Sequence, residues 1–171
     1  MSGLNPGRAW RLPAEVDTDQ LAPGATMKHG LEVTARHCLE ALRPEFAREV
    51  RHGDLVVAGA DFGIGSSREQ AASVLVHLGV KAVIAPSFSG LYFRNAFNVG
   101  LLLLTCPQAA LIADGERIAV DARGARVQRS DGSMLECEPI PGFLLDLVEV
   151  GGLLPQLKRR LNPPRRRHEQ A

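Results

Sequence analysis

Apolar positions follow two spacings along this chain, and their alternation through the central third predicts a parallel sheet unit. Residues 54–58 carry Leu55, Val56 and Val57 as one run, the pattern of a buried strand. Residues 67–78 place Ala71, Ala72, Val74, Leu75 and Leu78 at helical spacing, and Gly79 fits the stop. Residues 82–85 form a second apolar strand, 89–98 a second helix closed by Gly100, and 101–104 a third strand. Strand, helix, strand, helix, strand within about fifty residues predicts a right-handed parallel βαβαβ unit. Its strands show little alternation, as expected where both faces are covered.

The flanks are less regular. Residues 8–12 read as a short strand running into a polar loop at 13–20, and Pro23 and Gly24 prolong the irregular region. Leu31, Ala35, Cys38, Leu39 and Leu42 predict a helix over 31–42, ended by Pro44, with a short helical piece at 45–50. In the last third, residues 117–120, 125–129 and 134–138 look like short strands, with Asp131-Gly132 as a hairpin turn. Pro139 and Pro141 break that run. Helices at 143–150 and 153–161 follow, separated by Gly151-Gly152.

A chain of 171 residues with 45% apolar side chains suits one compact domain, placed here at residues 1–161. A net charge of +1 argues against nucleic acid as a partner. Residues 162–171, with Pro163-Pro164-Arg165-Arg166-Arg167, have no apolar periodicity and read as a disordered basic tail. The first thirteen residues lack the apolar stretch of a secretory leader, and the run at 101–104 is far too short to cross a bilayer, so a cytoplasmic protein without membrane contact is expected. Cys38, Cys106 and Cys137 are scattered, odd in number and form no CxxC pair. They read as reduced, structural thiols that hold no metal, and the five histidines show no ligand spacing.

The candidate chemistry lies in Asp61-Phe62-Gly63-Ile64-Gly65-Ser66-Ser67-Arg68-Glu69-Gln70, where a predicted strand hands over to a predicted helix. Backbone N–H groups at a helix start favour an anion, and an arginine can clamp a carboxylate with two parallel hydrogen bonds. Other motifs fail. Asp61-Phe62-Gly63 has no kinase catalytic loop before it, and Arg68 stands where a dinucleotide loop needs its third glycine. No Gly-Lys-Ser/Thr is present for a phosphate loop, and Glu69 spoils the nucleophile elbow. A plain serine N-cap with Glu69 in the first turn explains one serine and the glutamate. It leaves two glycines and an arginine unexplained. What remains is an anion site at the carboxyl end of a parallel strand.

Gly65-Ser66-Ser67-Arg68-Glu69 closely resembles the signature of the swivel domain of the aconitase superfamily, in particular the separate small subunits of isopropylmalate dehydratase and homoaconitase-type hydro-lyases. Supporting segments run along the chain: Asp17-Thr18-Asp19-Gln20 with Pro23-Gly24, Val83-Ile84-Ala85-Pro86-Ser87-Phe88 with Phe93-Arg94-Asn95, and Gly151-Gly152-Leu153 with Leu157-Lys158. The resemblance implies a three-layer β/β/α swivel domain with a parallel central sheet. It also implies dehydration and rehydration of a 2-hydroxy di- or tricarboxylic acid in amino-acid biosynthesis. This chain would carry no cofactor of its own, and a large partner subunit would bring a [4Fe-4S] cluster. Ser66 would be the general base, with Ser67 and Arg68 binding the substrate carboxylate.

The family's loop after Pro-Gly meets the variable end of the substrate, and here it reads Ala25-Thr26-Met27-Lys28-His29-Gly30. An apolar residue there suits an isopropyl group. Lys28 falls close to where tricarboxylate-using relatives place an arginine, so it is a candidate partner for a distal carboxylate. Ile64 and Gln70 depart from the commoner Cys and His. A 3-isopropylmalate dehydratase-like subunit is the leading expectation. A non-catalytic carboxylate-binding or regulatory module that kept the pocket is the alternative.

Overall fold

The computed structural model describes residues 4–163. Strands β1 (Gly7–Arg11), β2 (Leu55–Val57), β3 (Ala82–Ala85) and β4 (Leu102–Thr105) pair in parallel. Strands β5 (Arg117–Asp121), β6 (Arg126–Gln128) and β7 (Met134–Glu136) continue the same sheet in antiparallel fashion, giving the order β4-β3-β2-β1-β5-β6-β7. The parallel centre is therefore as the sequence predicts.

Helices α1 (Thr18–Leu21), α2 (Leu31–Arg36), α3 (Phe46–Glu49), α4 (Gln70–His77), α5 (Gly90–Asn98), α6 (Gly142–Val150) and α7 (Leu153–Leu161) complete the domain. The strand order β1 to β4 advances in one direction, so right-handed crossovers put their helices on one face. Accordingly α4 packs on α1, α2 and α5, and α5 on α6 and α7. Every residue of β2 and β3 is buried, so the other face needs cover as well. The sheet supplies it by curling. Glu138 N–H donates to Thr105 O at 2.8 Å, which brings the end of β7 back to the end of β4. Ile118, Val120, Val127 and Leu135 of the antiparallel ribbon join the same core. This is how one sheet provides both β layers of a β/β/α fold, and it leaves little exposed edge.

Two segments differ from the sequence pattern for identifiable reasons. The helix expected over 31–42 stops at Arg36, because Leu39 takes a left-handed conformation (φ 59°), stays buried and donates its N–H to Gln20 O at 2.8 Å. That tertiary bond overrides the helical periodicity. The polar loop at 13–20 contains α1, opened by a capping box in which Asp17 accepts from Gln20 N–H and the Gln20 side chain accepts from Asp17 N–H. From residue 164 onward the basic tail lies outside the described residues. Among those described, no helix is long and apolar enough to cross a membrane.

At the amino end of the strands, buried Asp54 gathers two backbone N–H groups and one indole N–H. It accepts from Trp10 Nε1 (3.0 Å), Arg51 N–H (2.9 Å) and Arg8 N–H (3.3 Å). Asp54→Ala strands those donors and is expected to lower the unfolding free energy by about 2–4 kcal/mol, measured by urea titration. A loss below about 0.5 kcal/mol would rule out this role.

Candidate functional site at the carboxyl ends of the parallel strands

The loops that follow β1, β2 and β3 meet at the carboxyl edge of the sheet. Gly63 N–H donates to Val16 O (2.7 Å) and Thr18 N–H to Ile64 O (2.9 Å), joining the first loop to the second. Phe62 N–H donates to Ser87 O (3.1 Å) and Ser89 N–H to Phe62 O (2.9 Å), joining the second to the third. Ser87 Oγ accepts from Asp61 N–H at 2.8 Å and donates to Asp61 Oδ1 at 3.2 Å. The turn is thus anchored on both sides just before the serines.

Gly63 is dictated by space as well as by backbone. Its φ is +83°, and a Cβ there would lie 2.2 Å from Tyr92 Cγ. Gly65 has φ +106°, with Thr18 Oγ1 at 3.0 Å from a Cβ position. Beyond this point Gly65, Ser66 and Ser67 are exposed. The sequence placed a helix start at residue 67, but α4 begins at Gln70 after Glu69, which makes no side-chain cap. Neither serine is an N-cap. Instead Arg68 N–H donates to Ser66 O (2.8 Å), and Asn95 Nδ2 of α5 donates to Ser67 O (3.4 Å). The serine turn is a projecting loop, and the N–H groups of the helix start lie three residues further on.

Arg68 is the anchored cation of the turn. Its Nη1 donates to Asp19 Oδ1 (2.9 Å) and to Ala22 O (3.1 Å). Asp19 Oδ1 also accepts from Gly24 N–H at 2.9 Å. Gly24 N–H and then the Arg68 guanidinium hold the Asp19 carboxyl below its ordinary range. Among the described residues, Nε and Nη2 of Arg68 make no hydrogen bond, so one edge of the guanidinium stays available. Asp19 and Asn95 were not singled out from sequence, although both lie in segments that carried the family resemblance.

Lys28 lies near the end of a 3-10 segment (Gly24–His29) that starts at the same Gly24. It is exposed and has no ion-pair partner among the described residues. Among the described residues no hydrogen bond or ion pair joins it to the serine turn. A groove of about 620 Å³ sits at the opposite end of the sheet beside Gly7, Arg51, Asp54, Lys81 and Arg117. The two serines and Lys28 are exposed and Arg68 is partly so, and none of them lines that groove. Among the described residues no group of three or more His, Cys, Asp or Glu could hold a metal ion.

Known proteins resemble this chain in both sequence and fold. Residues 26–109 match the family model described as the aconitase C-terminal domain. The chain is 43% identical to 3-isopropylmalate dehydratase small subunit 1 of Archaeoglobus fulgidus, over 86% of this chain and 93% of that one. It is 42% identical to the methanogen homoaconitase small subunit of Methanothermobacter thermautotrophicus, over 90% and 91%. The crystal structure of 3-isopropylmalate dehydratase (leuD) from Methanocaldococcus jannaschii matches with a TM-score of 0.86 at 35% identity, covering 92% of this chain and 95% of that one. Sequence and fold agree over nearly the whole length, and this chain belongs to the family of 3-isopropylmalate dehydratase and homoaconitase small subunits.

Proposed function

We propose that this chain is the small subunit of a hydro-lyase that removes and re-adds water on a 2-hydroxy di- or tricarboxylic acid, and that it acts only with a large partner subunit. The observation that carries this reading is the exposed Ser66-Ser67 pair, projecting from a rigidly anchored turn beside a guanidinium with one edge open. In this reading Ser66 takes the proton α to a carboxylate. Serine is a poor base in water, so its alkoxide needs nearby positive charge, and Arg68 is two residues away on the same turn. Ser67 donates a hydrogen bond to that carboxylate, and the open Nε/Nη2 edge of Arg68 grips it in a bidentate fork. Asp19 holds Arg68 in place by its other nitrogen, so the fork is preorganised. A [4Fe-4S] cluster held by the large subunit would supply Lewis-acid chemistry at the substrate hydroxyl.

The leading substrate is 3-isopropylmalate. Relatives named for it and for homoaconitase support the class, and Ala25 and Met27 give the specificity loop apolar character. Lys28 is the loop's candidate for reading a distal carboxylate. The experiment is to combine this chain with a large subunit of the same family, load iron and sulfide, and assay hydration of isopropylmaleate, cis-homoaconitate, citraconate and dimethylmaleate. Isopropylmaleate turnover is expected, and no turnover of any unsaturated di- or tricarboxylate would contradict the proposal. Lys28→Ala is expected to lower kcat/KM for cis-homoaconitate by about 10–100-fold and to change isopropylmaleate hydration by less than about threefold. Equal effects on both would remove Lys28 from substrate recognition.

A further inference from the structure

The curl of the sheet brings together two thiols that the sequence leaves far apart. Cys106 directly follows β4, and Cys137 directly follows β7. The backbone bond from Glu138 N–H to Thr105 O (2.8 Å) sets the register of the seam between these antiparallel ends. Cys106 and Cys137 are the residues immediately flanking that bond, one on each chain segment. Cross-strand pairs have Cα atoms about 4.5–5.5 Å apart, within the span of a disulfide. Side-chain geometry agrees. Both thiols lie against the backbone of β7. Cys106 Sγ reaches Glu136 O (3.8 Å), and Cys137 Sγ reaches Leu135 O (3.9 Å). Both thiols are reduced, Cys106 buried and Cys137 half-buried.

We propose that Cys106 and Cys137 form an oxidisable dithiol, a modification site at which a hydroperoxide installs a cross-link that pins β4 to β7. The Cys106 sulfur, as thiolate, attacks a peroxide oxygen. An S–O bond forms, the O–O bond breaks, and the departing hydroxide takes a proton to become water. The Cys137 sulfur, giving up its proton to the leaving hydroxyl, then attacks the sulfenic sulfur of Cys106. The S–S bond forms, the S–O bond breaks, and a second water leaves. Two thiols lose two electrons and two protons, and one hydrogen peroxide becomes two waters.

The electrostatics of the pair favour this chemistry. The neighbouring Cys137 thiol draws the Cys106 thiol down to about 7 against the opposing effect of burial, and the same pairing pushes Cys137 up. Near neutral pH the pair can shed one proton and share the other between two sulfurs. Cys38 provides the contrast. It is buried in the core, and burial alone pushes its thiol well above the ordinary range.

The test uses the full chain treated with hydrogen peroxide. Intact mass should fall by two hydrogens, and a non-reducing peptide map should link Cys106 to Cys137 while Cys38 remains alkylatable after unfolding. The melting temperature should rise by about 5–12 °C and return on reduction with dithiothreitol. Cys38→Ser should behave as the wild type. Cys137→Ser should lose both the mass change and the thermal shift. Independent alkylation of Cys106 and Cys137 after peroxide, a link involving Cys38, or oxidation to sulfinate without a cross-link would each overturn the proposal.

Discussion

Ser66→Ala in the assembled enzyme is expected to lower kcat by roughly 10²–10⁴-fold, the usual contribution of a positioned general base. Substrate KM should change little, because Ser67 and Arg68 are assigned the carboxylate. The fold should not notice the change. Ser66 is exposed, and the bond it makes within the turn, to Arg68 N–H, uses its backbone oxygen and survives truncation. A melting temperature within about 1 °C of wild type would separate lost chemistry from lost structure. Retained kcat would remove Ser66 from the base role.

Gly63→Ala is expected to have the largest effect on stability, about 3–5 kcal/mol, from a clash and backbone strain together. The new methyl would lie 2.2 Å from Tyr92 Cγ, at a φ of +83° that L residues rarely adopt. Tyr92 has no room to yield. It is fully buried, its hydroxyl donates to Ala71 O at 3.1 Å, and its ring meets Phe62 edge-on at 5.3 Å. Any shift therefore propagates into α4 and into the strand-to-turn junction that carries the serines. Gly132→Ala is the control, since φ there is +85° with nothing within 4 Å of a Cβ. Strain alone should cost about 1 kcal/mol at Gly132. Equal losses at both positions in chemical denaturation would discount the Tyr92 contact.

Much of the sheet was legible because its strands are buried on both faces and declare themselves as apolar runs. Residues 82–85 are a strand at the predicted bounds, and the parallel order follows from helices of ordinary length between strands. The errors fall where long-range bonds decide local structure. Leu39 leaves the helical pattern to bond Gln20 O. Residues 67–69 leave it because Asn95 and Asp19, distant in sequence, hold Ser67 O and the Arg68 side chain. The glycine–serine–arginine composition of the turn marked the candidate site. The anchoring of Arg68 needed folded geometry to appear. The pairing of Cys106 with Cys137 was invisible for the same reason, since only the curl of the sheet sets their register. The Asp17/Gln20 capping box has the spacing of such a motif, but the polar composition of its segment reads as a loop and misses the short helix.

The central claim is that the turn at Ser66 is half of an active site, completed by a second chain. A competition assay tests it most directly. A fixed amount of iron-loaded large subunit is mixed with wild-type chain, and increasing amounts of the Ser66→Ala chain are added while isopropylmaleate hydration is followed. The account predicts no turnover by either subunit alone and full turnover by the wild-type mixture. It also predicts that the variant extinguishes activity in proportion to its share of the small-subunit pool, because it assembles but lacks the base. Activity that stays constant as the variant replaces the wild-type chain, or turnover by the large subunit alone, would contradict it.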